Sequence, residues 1–176
     1  MGCPSPIIYN PIIIASPAAP IITNVITTNP TDCGLTDGTI TINATGGMGV
    51  YEYSINGINF SSSNHFSGLS GGTYQIVIKN TNETCPVIHS SIVLVDKVQP
   101  VITNVIASNP SNCGVNDGSI DIIATGLSLQ YSIDNGMNWQ SSNTFLGLPA
   151  GTYHVIAKNA DGTCVTPYLN NPVILN

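Results

Sequence analysis

The stretch CGLTDGTITINATG, from Cys33 to Gly46, returns as CGVNDGSIDIIATG from Cys113 to Gly126, with nine of fourteen positions identical at a shift of 80 residues. A chain that repeats itself at such an interval folds as tandem modules, and this constraint precedes any local motif. The match extends outward once small length changes are allowed. PIITNV from Pro20 answers PVITNV from Pro100, and YSI at Tyr53 answers YSI at Tyr131. The pattern N-x-F-x-G-L-x-x-G-T-Y covers Asn64 to Tyr74 and again Asn143 to Tyr153, after which Lys79-Asn80 and Cys85 answer Lys158-Asn159 and Cys164.

The first residues belong to the same pattern. Cys3, Pro6, Asn10 and Pro11 line up with Cys164, Pro167, Asn171 and Pro172 at a constant shift of 161. The expected organisation is an extended strand or linker over 1–19, a first repeat over 20–98 and a second over 99–176, joined by the short DKVQP segment that should limit bending. Residues 1–19 then have two readings. They are the last strand of a preceding repeat, or a donor strand that docks on a neighbouring molecule, with Cys3, Ile7, Ile8, Ile12, Ile13 and Ile14 as the inter-repeat or intermolecular set. The physical motive is that IIYNPIII alone would expose its isoleucines and an unpaired edge. Full burial of each such side chain stabilises by roughly 1.5–3 kcal/mol, and strand addition to a sheet supplies it.

Alternation of apolar and polar residues places Ile40, Ile42 and Ala44 on one face, then Tyr51, Tyr53 and Ile55, then Tyr74, Ile76 and Ile78, and the second copy does the same. Asp37-Gly38, Asn56-Gly57, Gly71-Gly72, Asn135-Gly136 and Asp161-Gly162 read as turns that supply residues tolerating positive φ. Seven or so short strands per repeat predict an all-β chain of two tandem immunoglobulin-like β-sandwich domains behind the N-terminal strand segment, with a barrel as the weaker alternative.

Composition excludes several partners. Only 7% of residues are charged, and three lysines face nine acids, so a nucleic-acid surface has no basic footprint here. The apolar runs are short and broken by proline, well below the ~20 residues of a spanning helix. With few charges, solubility has to come from Ser, Thr and Asn, helped by self-contact or a glycan coat. Asn43, Asn59 and Asn82 each open an N-x-[ST] acceptor, all in the first repeat.

Each repeat holds one pair of cysteines in equivalent places, Cys33 with Cys85 and Cys113 with Cys164. Repetition favours pairing within each repeat, a bond that would contribute about 4 kcal/mol by the chain-entropy estimate and would place the protein in an oxidising compartment. Cys3 is left over, and by the same logic it would bond the preceding repeat or molecule.

The order C-G-x-x-D-G-[ST]-I, then Y-S-I, then G-L-x-x-G-T-Y and a cysteine-containing turn resembles the SprB-type repeats of very large surface adhesins in gliding and related Bacteroidota. The resemblance covers residues 20 to 176. It implies a secreted, cell-surface, immunoglobulin-like module used in long arrays for adhesion or as a fibre, and it brings no catalytic residues. The turn after the second strand departs from the usual Gly-Gly-x-x-Pro-Tyr, reading GGMGVY in one repeat and GLSLQY in the other.

Chemistry is sparse. His65, His89 and His154 fall in dissimilar places with no metal-ligand spacing. Asp37 and Asp117 are one turn position seen twice. Asp32, Asp37, Asn82 and Glu83 could converge on calcium, but no D-x-[DN]-x-[DN]-G loop is present, and no cofactor is expected. Phe60 and Trp139 are equivalent and read as packing residues. The expectation is therefore a non-enzymatic extracellular or cell-surface protein: a fibre or stalk module whose partners are neighbouring copies or repeats, with Asn43, Asn59 and Asn82 as candidate glycan acceptors, or else an adhesin segment that binds carbohydrate or a cell surface.

Overall fold

The structure, a computed structural model, describes residues 18–47, 49–81 and 85–176. The donor-strand segment with Cys3, Ile7, Ile8, Ile12, Ile13 and Ile14, and the acceptor Asn82, lie outside the described residues. Among the described residues every regular element is a strand. The first repeat contributes β1 (Pro20–Thr28), β2 (Gly38–Gly46), β3 (Tyr51–Ser54), β4 (His65–Leu69), β5 (Gly72–Tyr74), β6 (Val77–Asn80), β7 (Val87–Ile88) and β8 (Ile92–Leu94). The second contributes β9 (Val101–Ser108), β10 (Gly118–Thr125), β11 (Leu129–Ser132), β12 (Thr144–Leu148), β13 (Gly151–Tyr153), β14 (Ile156–Asn159), β15 (Thr166–Pro167) and β16 (Val173–Leu175).

Strand order is the same in both repeats. The second forms sheets β12-β10-β9 and β11-β14-β15 with the pair β13-β16, and the first forms β1-β2-β4, β3-β6-β7 and β5-β8. Counted within a repeat, strands one, two and four share one sheet and strands three, six and seven share the other. That split between two antiparallel sheets is the immunoglobulin-like arrangement. The fold is all-β and immunoglobulin-like, as the alternation predicts.

The described residues divide into two compact units: those within 18–26, 41–65 and 74–92 in one, and those within 27–40, 66–73 and 93–176 in the other. In the first unit, β3 pairs with β6 from Tyr51↔Asn80 to Ser54↔Val77, and β6 pairs with β7. Its predicted inward residues Ile42, Ile76 and Ile78 have no exposed surface. The second unit holds the whole second repeat, whose core is Ile120, Ile122, Val155 and Leu175, with Tyr131, Phe145 and Tyr153 packed against it. Burial extends to the other face of the sixth strand, where Val77 and Ile156 are each 7% exposed, so this strand is covered on both sides.

Turn chemistry follows the sequence with one correction. Gly57, Gly136 and Gly162 have φ of 73°, 87° and 91°, and Asn135 has 60°, as Asn-Gly and Asp-Gly turns require. Gly38 and Gly118, by contrast, open β2 and β10 outside the left-handed region. Glycine is needed there for close approach, since a Cβ would lie 2.8 Å from the carbonyl oxygen of Leu69 or Leu148. The buried hydroxyls of Ser54 and Ser132 accept the N–H of Gly57 and Gly136, both at 2.9 Å, so the hairpin turns anchor to the core without an unsatisfied polar group.

Candidate functional site

The features that recur in both repeats and carry chemistry are a cysteine turn after the first strand and a cysteine loop after the sixth. The turn is built the same way twice. The Thr31 N–H donates to Asp37 Oδ1 at 2.9 Å and the Thr31 hydroxyl donates to the other carboxylate oxygen, while the Ser111 N–H donates to Asp117 at 2.7 Å. These bonds, led by the Thr31 and Ser111 side chains, hold the Asp37 and Asp117 carboxyls below the usual carboxylate range. The Cys33 N–H donates to Asp32 Oδ1 at 2.7 Å, and the Cys113 N–H to Asn112 Oδ1 at 2.8 Å. Gly34 and Gly114 follow with φ of 72° and 77°. Asp37 and Asp117 are turn formers, as the repeat predicts.

The loop also has one frame. Asn159 Nδ2 donates to the Val98 carbonyl at 3.1 Å, and its counterpart Asn80 donates to the Ala18 carbonyl at the same distance. Cys85 and Cys164 both sit at positive φ, 53° and 59°. In the second repeat the loop closes through Asn159 N–H to Thr163 O at 2.9 Å and through the Thr163 N–H and hydroxyl to Asp161. Lys97 Nζ reaches Asp161 at 2.6 Å. That ammonium, followed by Thr163, keeps the Asp161 carboxyl well below its ordinary range.

Turn and loop meet covalently across the repeats. Cys33 is bonded to Cys164, 131 residues away, with a Cα–Cα distance of 5.2 Å. The Cys164 N–H donates to Asp32 Oδ1 at 2.6 Å, and the Cys33 sulfur lies 3.3 Å from the Lys97 carbonyl oxygen. Asp32, Cys33 and Cys164 would otherwise resemble a ligand cluster, with donor atoms within 4.8 Å of one another. Their sulfurs are spent on each other, so the arrangement is a clasp.

This corrects the expected pairing of Cys33 with Cys85 and Cys113 with Cys164. The geometry of the second repeat gives the reason. Cys113 follows the end of β9, while the Cys164 loop is tied through Asn159 to Val98, just before β9 begins. Eight residues of strand at about 3.3 Å each separate the two cysteines by some 25 Å, far beyond the ~4.4–6.8 Å between Cα atoms that a disulfide spans. The two cysteines of one repeat stand at opposite ends of its first strand. Cys113 is exposed and forms no disulfide among the described residues.

The remaining sequence candidates are dispersed. His65 shares a 2.8 Å hydrogen bond with Thr41, and the His89 ring meets the Ser90 carbonyl at 2.8 Å. His154 is exposed beside the bonded pair it makes with Ile133. Phe60 and Trp139 are half-buried and lie under Lys79 and Lys158, with Nζ 4.4 and 4.1 Å from the ring centroids. The equivalence of these aromatics is thus a repeated cation–π contact. Of the glycan acceptors, Asn43 is half-buried in β2, whereas Asn59 is exposed in a turn whose N–H donates to Asn56 Oδ1.

Residues 24–60 match the SprB repeat family model, which bears out the resemblance over that stretch, from within β1 through the Cys33 turn to Phe60. No curated protein matches the chain. Among solved structures, the C-terminal 282-residue fragment of intimin, crystallised with the intimin-binding domain of the translocated intimin receptor, aligns over 89% of this chain at 11% identity with a TM-score of 0.42. The chain spans 64% of that fragment, under two thirds of its length.

Proposed function

We propose that the chain is a structural module of an extracellular fibre or surface stalk, assembled head to tail from immunoglobulin-like repeats and working without catalysis. The observation that carries this reading is the Cys33–Cys164 clasp. A bond from the turn of one repeat to the loop of the next ties consecutive modules through a second covalent path, parallel to the DKVQP linker. Tension along an array is then shared, and relative motion of the joined segments is restrained. The SprB repeat supports a cell-surface location, and a disulfide persists in the oxidising environment found there. Neighbouring copies or repeats are the partners in this reading, and glycan at Asn59 is an optional coat.

A second reading, an adhesin segment that binds carbohydrate or a cell surface, draws on the outer face of sheet β12-β10-β9. Ile106, Ile123 and Leu146 are 51%, 44% and 74% exposed there. Negative-stain imaging of purified protein, with antibody labelling of intact cells, tests the first reading: filaments and surface label support it. Monomers that bind a glycan array through that face would replace it with the second.

A further inference from the structure

We infer that Asp32 is the positioning residue of the clasp: one of its carboxylate oxygens, bonded to the backbone N–H of both cysteines, holds the Cys164 loop against the Cys33 turn so that the two sulfurs close on each other. The role rests on the clasp and is the same whether or not the chain builds a fibre.

Asp32 Oδ1 accepts the Cys33 N–H at 2.7 Å and the Cys164 N–H at 2.6 Å, so two residues 131 positions apart meet on one atom. All three residues lie in the same compact unit. Hydrogen bonds to an ionised acceptor are shorter and roughly twice as strong as neutral ones, and two that converge on one oxygen fix the separation of the backbones that donate them. Asp32 is half-buried and Cys164 is 3% exposed, so little water competes for these bonds. The bonds go to backbone N–H groups and not to a sulfur, which makes Asp32 a positioning residue.

The turn by itself does not call for a carboxylate. Asn112 stands at the position of Asp32 in the second repeat and accepts the Cys113 N–H at 2.8 Å, and the glycine after each cysteine is left-handed, with φ of 72° at Gly34 and 77° at Gly114. Asn112 and Cys113 are exposed, whereas Asp32 and Cys33 are half-buried. An amide therefore satisfies the local bond, and what the carboxylate adds is charge on the oxygen that takes the second N–H.

The loop that supplies this second N–H has a frame of its own. The Asn159 N–H donates to the Thr163 carbonyl at 2.9 Å, the Thr163 N–H and hydroxyl donate to Asp161 at 3.1 and 2.6 Å, and Lys97 reaches the same carboxylate. Cys164 sits at φ 59°, where side chains other than glycine are uncommon, and Cys85 takes nearly the same value, 53°, in the first repeat, so the shape belongs to the loop and not to the bond. With the loop so shaped, removing Asp32 would leave a nearly buried N–H without its acceptor.

Glutathione disulfide as oxidant closes the clasp in two exchanges. The thiolate of Cys33, the more exposed of the two cysteines, attacks it and releases one glutathione. The Cys164 thiolate then attacks the Cys33 sulfur of the mixed disulfide and releases the second, so two protein thiols are oxidised as one glutathione disulfide is reduced. The equilibrium constant of the sum is the effective concentration of one thiol at the other, which is high only while the loop is docked.

The test equilibrates the purified full chain and its variants in buffers of reduced and oxidised glutathione, quenches with iodoacetamide, and quantifies the Cys33–Cys164 peptide. Asp32→Ala should lower the equilibrium constant about tenfold, as the loss of one hydrogen bond to a charged group implies, and Asp32→Asn about threefold. Asn112→Ala removes the same local bond from the other turn and should leave the constant at the wild-type value. A purely local role for Asp32 predicts instead that Asp32→Ala lowers the melting temperatures of the oxidised and reduced protein equally while the constant stays put, and that result would overturn the inference. If Asp32→Ala does not fold, Asp32→Asn decides, and a constant equal to wild type sinks the inference. Either failure with the Cys33–Cys164 peptide present leaves the clasp and the fibre reading standing, whereas a wild-type chain without that peptide removes the clasp itself.

Discussion

Breaking the Cys33–Cys164 bond is the perturbation that most directly tests how this chain is held together. The bond closes a loop of 131 residues. In the chain-entropy account that restriction of the unfolded ensemble is worth about 5 kcal/mol, against about 4 kcal/mol for one of the shorter loops that pairing within a repeat would close. For a protein of this size, each kcal/mol moves the melting temperature by roughly 2–4 °C, so reduction should lower it by roughly 10–20 °C. Cys164 is 3% exposed, so replacing it adds a packing loss of its own. Reduced wild-type protein is therefore the reference, and Cys33→Ser should reproduce it.

The discriminating comparison is Cys113→Ser. If Cys113 were bonded to Cys164, its removal would match the loss seen on removing Cys164. With Cys113 exposed at the far end of β9, the melting temperature should stay within a degree or two of wild type, as for an ordinary surface substitution. Differential scanning calorimetry with and without reductant, alongside non-reducing peptide mapping, reads both quantities. A Cys113–Cys164 or Cys33–Cys85 peptide, or equal destabilisation by Cys113→Ser and Cys164→Ser, would refute the clasp.

Gly118→Ala should destabilise by about 1–3 kcal/mol, because the added methyl meets the Leu148 carbonyl at 2.8 Å, and denaturant unfolding measures it. Ile120→Ala, at a position with no exposed surface in the second core, should cost about 2–5 kcal/mol in the same assay. Asp134 is pushed up by burial, but hydrogen bonds from Asn138 and Ser132 outweigh that and bring its pKa down to about 2. Because the folded value is depressed, its stabilisation is present above the unfolded carboxylate value of about 4 and disappears as pH falls from there toward 2. Thermal melts of wild type and Asp134→Asn should converge across that window, and a gap that stays constant would refute the assignment.

The fold was legible because burial here is periodic at short range. Ile40 and Ile42, and Ile120 and Ile122, alternate with threonine or aspartate, and a period of two leaves one face for the core. The seven-strand immunoglobulin-like reading follows from that alternation together with turn residues whose backbone requirement is local, such as Asn135-Gly136. Gly38 and Gly118 were harder. Their need for glycine comes from a carbonyl belonging to a strand about 30 positions away, and a Gly after Asp looks the same in sequence whether it turns the chain or admits a neighbour.

The clasp shows where the repeat logic was underdetermined. Two equivalent cysteines per repeat are satisfied by pairing inside each repeat or by a stagger in which the turn of one repeat takes the loop of the next, and identity of sequence cannot choose between them. Geometry can, because β9 holds Cys113 and Cys164 apart while nothing of that length separates a turn from the following module's loop. The signal in the sequence was the odd count. Pairing inside repeats leaves Cys3 as an exception to be explained, whereas a stagger puts Cys3, Cys85 and Cys164 in one class of loop cysteine and Cys33 and Cys113 in one class of turn cysteine. Cys33 is the turn cysteine and Cys164 the loop cysteine that meet, so the stagger is what the fold selects for this pair.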